Sequence, residues 1–91
     1  MAEIQVQKVD DNTFEVTVQG GTTTTHTVKL ADEYYQKLTG DKVARETLIQ
    51  KSFAFLLERE SNTSILSRFD LPVISRYFPE YEKAIAGRLK D

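Results

Sequence analysis

The sequence predicts one α+β domain in which an antiparallel sheet is followed by helices. Up to Leu30, apolar and polar residues alternate with period two, which is typical of strands with one buried face. From Asp32 onward, apolar residues recur at helical spacing. A chain of 91 residues is long enough for one compact core and too short for two. We therefore expect residues 1–91 to form a single domain.

Three strands are expected, joined as an antiparallel meander, at about residues 3–9, 13–19 and 23–30. Both hairpins must place their apolar residues on one common face, and this requirement fixes the register. It sets Ile4 opposite Val18 in the first hairpin and Phe14 opposite Val28 in the second. Each pair has an even sum of residue numbers, so each connecting loop has an odd number of residues.

The loops and the third strand carry further expectations. The first loop is expected to have three residues, with Asn12 able to take a left-handed position, and at least one of Gly20 and Gly21 in the second loop is expected to adopt a positive φ. The third strand is expected at the sheet edge, where segment 22–29 is rich in β-forming threonine. Two interpretations stay open: Lys29 and the helices protect this edge, or it pairs with a second copy and forms a homodimer.

Helical spacing predicts a short helix, a long core helix and short C-terminal helices. The short helix should be capped by Asp32 and ended by Gly40, with Tyr34 and Leu38 on its buried face. The core helix should run from about residue 42 to 60. Its buried stripe is expected to consist of Leu48, Ile49, Ser52, Phe53, Leu56 and Leu57.

The residues after the core helix are expected to cover it. Phe55 lies off the buried stripe, so another part of the chain must pack against it. Asp70 is expected to cap a short helix whose apolar face carries Tyr77 and Phe78. The last helix should bury Tyr81, Ile85 and Leu89.

Composition narrows the possible functions. The chain contains no cysteine, which excludes disulfides, zinc–thiolate sites and thiol nucleophiles. The formal net charge is −2 and no segment is strongly basic, so nucleic acid is not the expected partner. No run approaches the roughly 18 apolar residues of a membrane helix, and no apolar leader follows Met1. We expect a cytoplasmic protein with no membrane partner.

Catalytic groups do not converge in the sequence. His26 is the single histidine, and the register places it on the inner sheet face as a packed residue. Glu58 and Glu60 lie about 200° apart around a helix, as do Glu80 and Glu82, so neither pair can share a substrate. No glycine-rich phosphate loop is present. We therefore expect no catalytic residue, no metal ligand, no cofactor and no enzymatic activity.

Residues 25–60 resemble the ribbon-helix-helix family of DNA-binding proteins in the order of a strand, a short helix, Gly40 and a second helix. In that family, the strands of two copies pair and enter the major groove, while the second helix holds phosphate at its N-terminus. The resemblance implies that base-reading residues are Thr25, Thr27 and Lys29, and that phosphate-binding residues are Lys42 and Arg45.

Residues 59–81 resemble the C-terminal part of small bacterial proteins of uncharacterised function. This resemblance indicates a bacterial origin and supplies no site residue. Because the charges are nearly balanced, the leading hypothesis is a small non-enzymatic protein-interaction domain whose protein partner is unknown, as a monomer or as a homodimer. The alternative is a DNA-binding dimer of the ribbon-helix-helix type.

Overall fold

A computed structural model describes residues 3–89, which form a four-stranded sheet with helices packed on one face. The α+β prediction is confirmed. The elements in chain order are β1 (Glu3–Asp10), β2 (Thr13–Gln19), β3 (Thr23–Lys29), α1 (Asp32–Thr39), α2 (Arg45–Leu57), a 3-10 turn (Asn62–Ser64), β4 (Arg68–Asp70), α3 (Val73–Tyr77) and α4 (Tyr81–Leu89).

The predicted register of both hairpins is confirmed. Ile4 pairs with Val18 between β1 and β2, and Phe14 pairs with Val28 between β2 and β3. The second loop has the expected odd length, since it consists of residues 20–22. This register turns one face of β2 and β3 inward, and the side chains buried there are Phe14, Val16, Val18, His26 and Val28.

The predictions for the loop backbones are wrong. A β-bulge between Lys8 and Asp10 takes up the odd residue, so the first loop contains only residues 11–12. Asn12 has no positive φ, because its N–H donates to Asp10 Oδ1 at 2.9 Å and closes an ordinary Asx turn. The same bond lowers the pKa of the Asp10 carboxyl. The two glycines of the second loop also lack a positive φ.

The prediction that β3 lies at the sheet edge is wrong. The short strand β4, which periodicity did not reveal, pairs with β3 in parallel. Thr27 N–H donates to Ser67 O at 2.7 Å, and Leu71 N–H donates to Lys29 O at 2.9 Å. A second copy therefore finds no free backbone edge at Thr27–Lys29, the end of segment 22–29, for which self-association was one of the two open interpretations.

Of the two ends predicted for α1, only the C-terminal one is confirmed. Gly40 ends the helix as predicted, with φ 62°, and its N–H donates to Gln36 O at 2.8 Å. Asp32 does not cap the helix, because Ala31 occupies the N-cap position. The Asp32 carboxylate instead accepts from Arg45 at 2.8 Å.

The buried face of α1 is centred one residue from its expected position. Tyr35 is buried, whereas Tyr34 and Leu38 are half-buried and pack at the margin of the core. The Tyr35 hydroxyl donates to the carbonyl of Val43 and so holds the connection to α2 against α1.

The core helix α2 is shorter than predicted, at Arg45–Leu57 instead of 42–60. It does not begin at residue 42, because Ala44 is extended, with φ −66° and ψ 151°, and occupies the N-cap position. Its predicted stripe is buried except for Leu57, which is half-buried. The expectation for Phe55 is confirmed: it is fully buried, and it lies edge-on to the rings of Phe78 and Tyr81.

The C-terminal segment contains two further corrections. Asp70 does not cap a helix, because it belongs to β4 and α3 begins only at Val73. Tyr77 does not face the core and is 66% exposed. In α4 the prediction holds for Tyr81 and Ile85, which are fully buried, while Leu89 is half-buried.

The left-handed cap at Gly40 gives a test of the backbone assignment. Gly40→Ala is expected to lower the free energy of unfolding by about 1 kcal/mol, because a Cβ is strained at φ 62°. Gly87→Ala in the exposed part of α4 should raise it by about 0.5 to 1 kcal/mol, because alanine favours helix and no atom lies within 4 Å of the new Cβ. Urea denaturation measures both, and equal signs would contradict the assignment.

Candidate functional site

An apolar groove lies between α2, the segment 64–69 and α3, with a volume of about 200 Å³. Four buried core side chains line it, and they are Leu56, Ile65, Phe69 and Ile74. Leu66 and Tyr77 also line the groove, although they are 47% and 66% exposed. Of the three large apolar residues that are exposed in the described part of the chain, two therefore flank this groove.

The short helix α3 explains why an aromatic side chain stands at the groove. Ile74 and Tyr77 lie three residues apart, so they share one side of the helix. Ile74 reaches the core, whereas Tyr77 sits at the last position of a helix of only five residues. Phe78 N–H donates to Ile74 O at 2.8 Å, and the Phe78 ring turns inward against Phe55. Only one of the two neighbouring aromatic residues is thus drawn inward.

His26 forms a hydrogen bond with Leu66, which lines the groove. Its Nδ1 lies 2.8 Å from Leu66 O, and its Nε2 lies 2.8 Å from Thr24 Oγ1. Because a carbonyl oxygen can only accept, Nδ1 donates to Leu66 O, and in the tautomer with a single ring proton Nε2 then accepts from the Thr24 hydroxyl. The ring is 2% exposed and packs at 5.4 Å from the ring of Phe53. The expectation of a packed core histidine is confirmed.

Asn62 extends this network to the surface. Its Nδ2 donates to Thr22 O at 2.6 Å and to Thr24 Oγ1 at 3.0 Å. The sequence gives no sign of these bonds, because a partner forty residues away leaves no local signal. Together, Asn62, Thr24 and His26 fasten segment 62–66 to β3.

The ribbon-helix-helix resemblance assigns base reading to Thr25, Thr27 and Lys29. These three residues lie in one row along β3, on the outer face of the sheet. The two phosphate-binding candidates lie elsewhere, at the start of α2. Lys42 is exposed in the connection from α1. The guanidinium of Arg45 lies 2.8 Å from Asp32 and 4.2 Å from the ring of Tyr35, so it already has an anionic partner.

A ribbon-helix-helix dimer also needs a strand that can pair across a two-fold axis. Here β3 lies between β2 and β4, and β4 pairs with its last three residues, Thr27–Lys29. Asp41 and Glu46 add negative charge beside Lys42 and Arg45. Two of the three base-reading candidates, Thr27 and Lys29, therefore lie where the strand has no free edge for a second copy.

Three of the four carboxylates that the sequence singled out, Glu58, Glu80 and Glu82, bind side chains of other elements. Arg88 binds Glu58 at 2.5 Å, and this bond lowers the pKa of Glu58. Arg59 binds Glu80 at 3.3 Å. Glu82 accepts from the Tyr34 hydroxyl at 2.8 Å, and burial followed by this bond raises the pKa of that hydroxyl. These contacts connect α1 and the two residues that follow α2 to α4 and to Glu80, which immediately precedes α4.

Within residues 3–89, no three His, Cys, Asp or Glu side chains come together in a way that could hold a metal ion. No helix in the same range is both long and apolar enough to cross a membrane. Comparisons of the chain with protein-family models, with curated proteins and with solved structures find no match.

Proposed function

We propose that this protein is a non-enzymatic protein-interaction domain that binds one large apolar side chain of a partner protein in the apolar groove. The observation that carries the proposal is the exposure of Leu66 and Tyr77 beside a cavity floored by core residues. Contiguous apolar surface of this kind marks interaction sites on proteins that otherwise bury such side chains.

The size of the groove favours a single side chain as its occupant. Its volume of about 200 Å³ is smaller than the roughly 300 to 1,000 Å³ of pockets that enclose small molecules. It is comparable to the roughly 150 Å³ cavity that accepts benzene in an apolar core. One aromatic or branched aliphatic side chain, seated in a pocket of this size, is the usual energetic centre of a protein interface.

The charge at the groove indicates what lies next to that side chain. Glu60 is the one charged residue among those that line the groove in the described part of the chain, and it is half-buried. A carboxylate at the margin of an interface attracts a cation and repels an anion. The expected partner segment therefore carries a large apolar residue with a lysine or arginine beside it.

A selection experiment tests the proposal even though the partner is unidentified. Random peptides displayed on phage are selected on the wild-type protein and counter-selected on Tyr77→Ser. Peptides that share a large apolar residue next to a lysine or arginine should be enriched. In spectra of the ¹⁵N-labelled protein, these peptides should shift the amide signals of Leu66, Ile74 and Tyr77.

The substitution Tyr77→Ser should weaken binding of an enriched peptide about 30-fold, since truncation of a central anchor costs about 2 kcal/mol. Its effect on the free energy of unfolding should stay within about 0.5 kcal/mol, because the side chain is 66% exposed. Val9→Ser is the matched control, since Val9 is 60% exposed but lies on β1. No enrichment, or equal loss of binding in both variants, would contradict the proposal.

A further inference from the structure

The sheet has one long edge that no strand of residues 3–89 covers. Within these residues β1 pairs only with β2, whereas β3 is enclosed by β2 and β4. β1 has eight residues, and the opposite edge strand β4 has three. An uncovered edge of this length presents unpaired N–H and C=O groups that can accept a strand from another chain.

The features that protect an edge are confined to one end of β1. Lys8 and the bulge that follows it interrupt the ladder at the C-terminal end. The segment Glu3–Gln7 forms a regular ladder with β2 and contains neither proline nor bulge. Within it, Ile4 and Val6 pack on the core but stay half-buried, because the sheet ends at their strand. This half of the edge therefore leaves apolar surface that a further strand could cover.

We propose that Glu3–Gln7 pairs antiparallel with the same segment of a second copy of this chain, with the two-fold axis at Gln5. This inference goes beyond the proposed function, because the edge and the groove lie on different elements. Paired residues then have numbers that sum to ten, so Ile4 lies opposite Val6 of the second copy, and Glu3 lies opposite Gln7. Both cores stay on the same side of a continuous eight-stranded sheet.

The neighbouring registers are less favourable. An axis at Val6 sets Lys8 against Ile4, and an axis at Gln7 sets Lys8 against Val6, so each places a charge opposite an apolar residue. An axis between two residues would turn the core of the second copy to the other face and leave Ile4 uncovered. An axis at Ile4 would pair only the three described residues Glu3–Gln5. Among the registers that pair at least five described residues of β1, the one centred on Gln5 matches apolar with apolar and places no like charges opposite each other.

Single cysteines can report this register because the chain contains none. At the axis, the two Cα atoms of residue 5 would lie about 4.5 to 5.5 Å apart, within the range that a disulfide spans. Gln5→Cys should therefore form a disulfide-linked dimer in a glutathione redox buffer. Gln7→Cys is exposed on the same face, but its two copies would lie about 14 Å apart and should cross-link at least about ten-fold less.

Two lysine substitutions on the exposed face test the same register without an oxidant. Gln5→Lys sets two like charges opposite each other at the axis, whereas Gln7→Lys sets a lysine opposite Glu3. In sedimentation equilibrium, the wild-type mass should rise with concentration from 10.4 kDa toward twice that value. Gln5→Lys should weaken this association and Gln7→Lys should strengthen it.

Circular dichroism confirms that each variant is folded, since both positions face solvent. The proposal is overturned by a wild-type protein that stays monomeric at every concentration, by equal cross-linking of the two cysteine variants, or by stronger cross-linking at residue 7. A dimer whose mass responds to Tyr77→Ser but not to Gln5→Lys would place self-association at the groove instead, and would also overturn it.

Discussion

Replacement of Phe53 by alanine is expected to lower the free energy of unfolding by about 3 to 5 kcal/mol. Phe53 is fully buried on α2, and its ring lies 5.4 Å from the ring of His26 and 6.0 Å from the ring of Phe69. Phe53 therefore packs α2 against β3 and β4, the two strands that pair in parallel. A domain of this length has a total stability of about 5 to 14 kcal/mol, so the loss is a large fraction of the whole.

Guanidinium denaturation followed by circular dichroism measures this loss. Tyr77→Ala removes an aromatic side chain of similar size from an exposed position and should change stability by about 0.5 kcal/mol or less. An unchanged m-value in both variants would show that the denatured state is not the source of the difference. A loss below about 2 kcal/mol for Phe53→Ala would mean that the surrounding side chains close the cavity, and would contradict a rigidly packed core around this ring.

The strands and their pairing could be predicted because alternation and parity leave few choices. Once Phe14 and Val16 face the core, the position of Val28 and His26 follows from the even sum of paired residue numbers. The strand β4 could not be predicted in the same way. A strand of three residues has too few positions for a period, and its parallel partner lies about forty residues earlier in the chain.

The groove was not predicted, because helical spacing assigned both Tyr77 and Phe78 to the core. Tyr77 is the last residue of α3 and Phe78 lies beyond its end, where helical spacing no longer fixes the direction of a side chain. Which of them turns inward is decided by the contact between Phe78 and Phe55, which depends on the tertiary fold. The position of His26 followed from the register, but its partner Leu66 comes from an irregular segment.

The substitution His26→Leu is expected to lower the free energy of unfolding by about 2 to 4 kcal/mol. Leucine keeps much of the apolar contact with Phe53 but cannot donate to Leu66 O or accept from Thr24 Oγ1. A buried polar group that loses its partner costs about 1 to 3 kcal/mol, and here two groups are affected. Because the Leu66 carbonyl fixes one wall of the groove, the variant should also bind groove-directed peptides more weakly.

Thr24→Val removes both bonds of the Thr24 hydroxyl, the one to His26 Nε2 and the one from Asn62 Nδ2, and leaves the bond from His26 Nδ1 to Leu66 O. It should cost about 1 to 2 kcal/mol. Hydrogen exchange at the amide of Ile65, which donates to Asn62 O at 3.2 Å, should accelerate more in His26→Leu than in Thr24→Val. Equal exchange rates in the two variants would contradict a role for the bond from His26 to Leu66 O in holding segment 62–66.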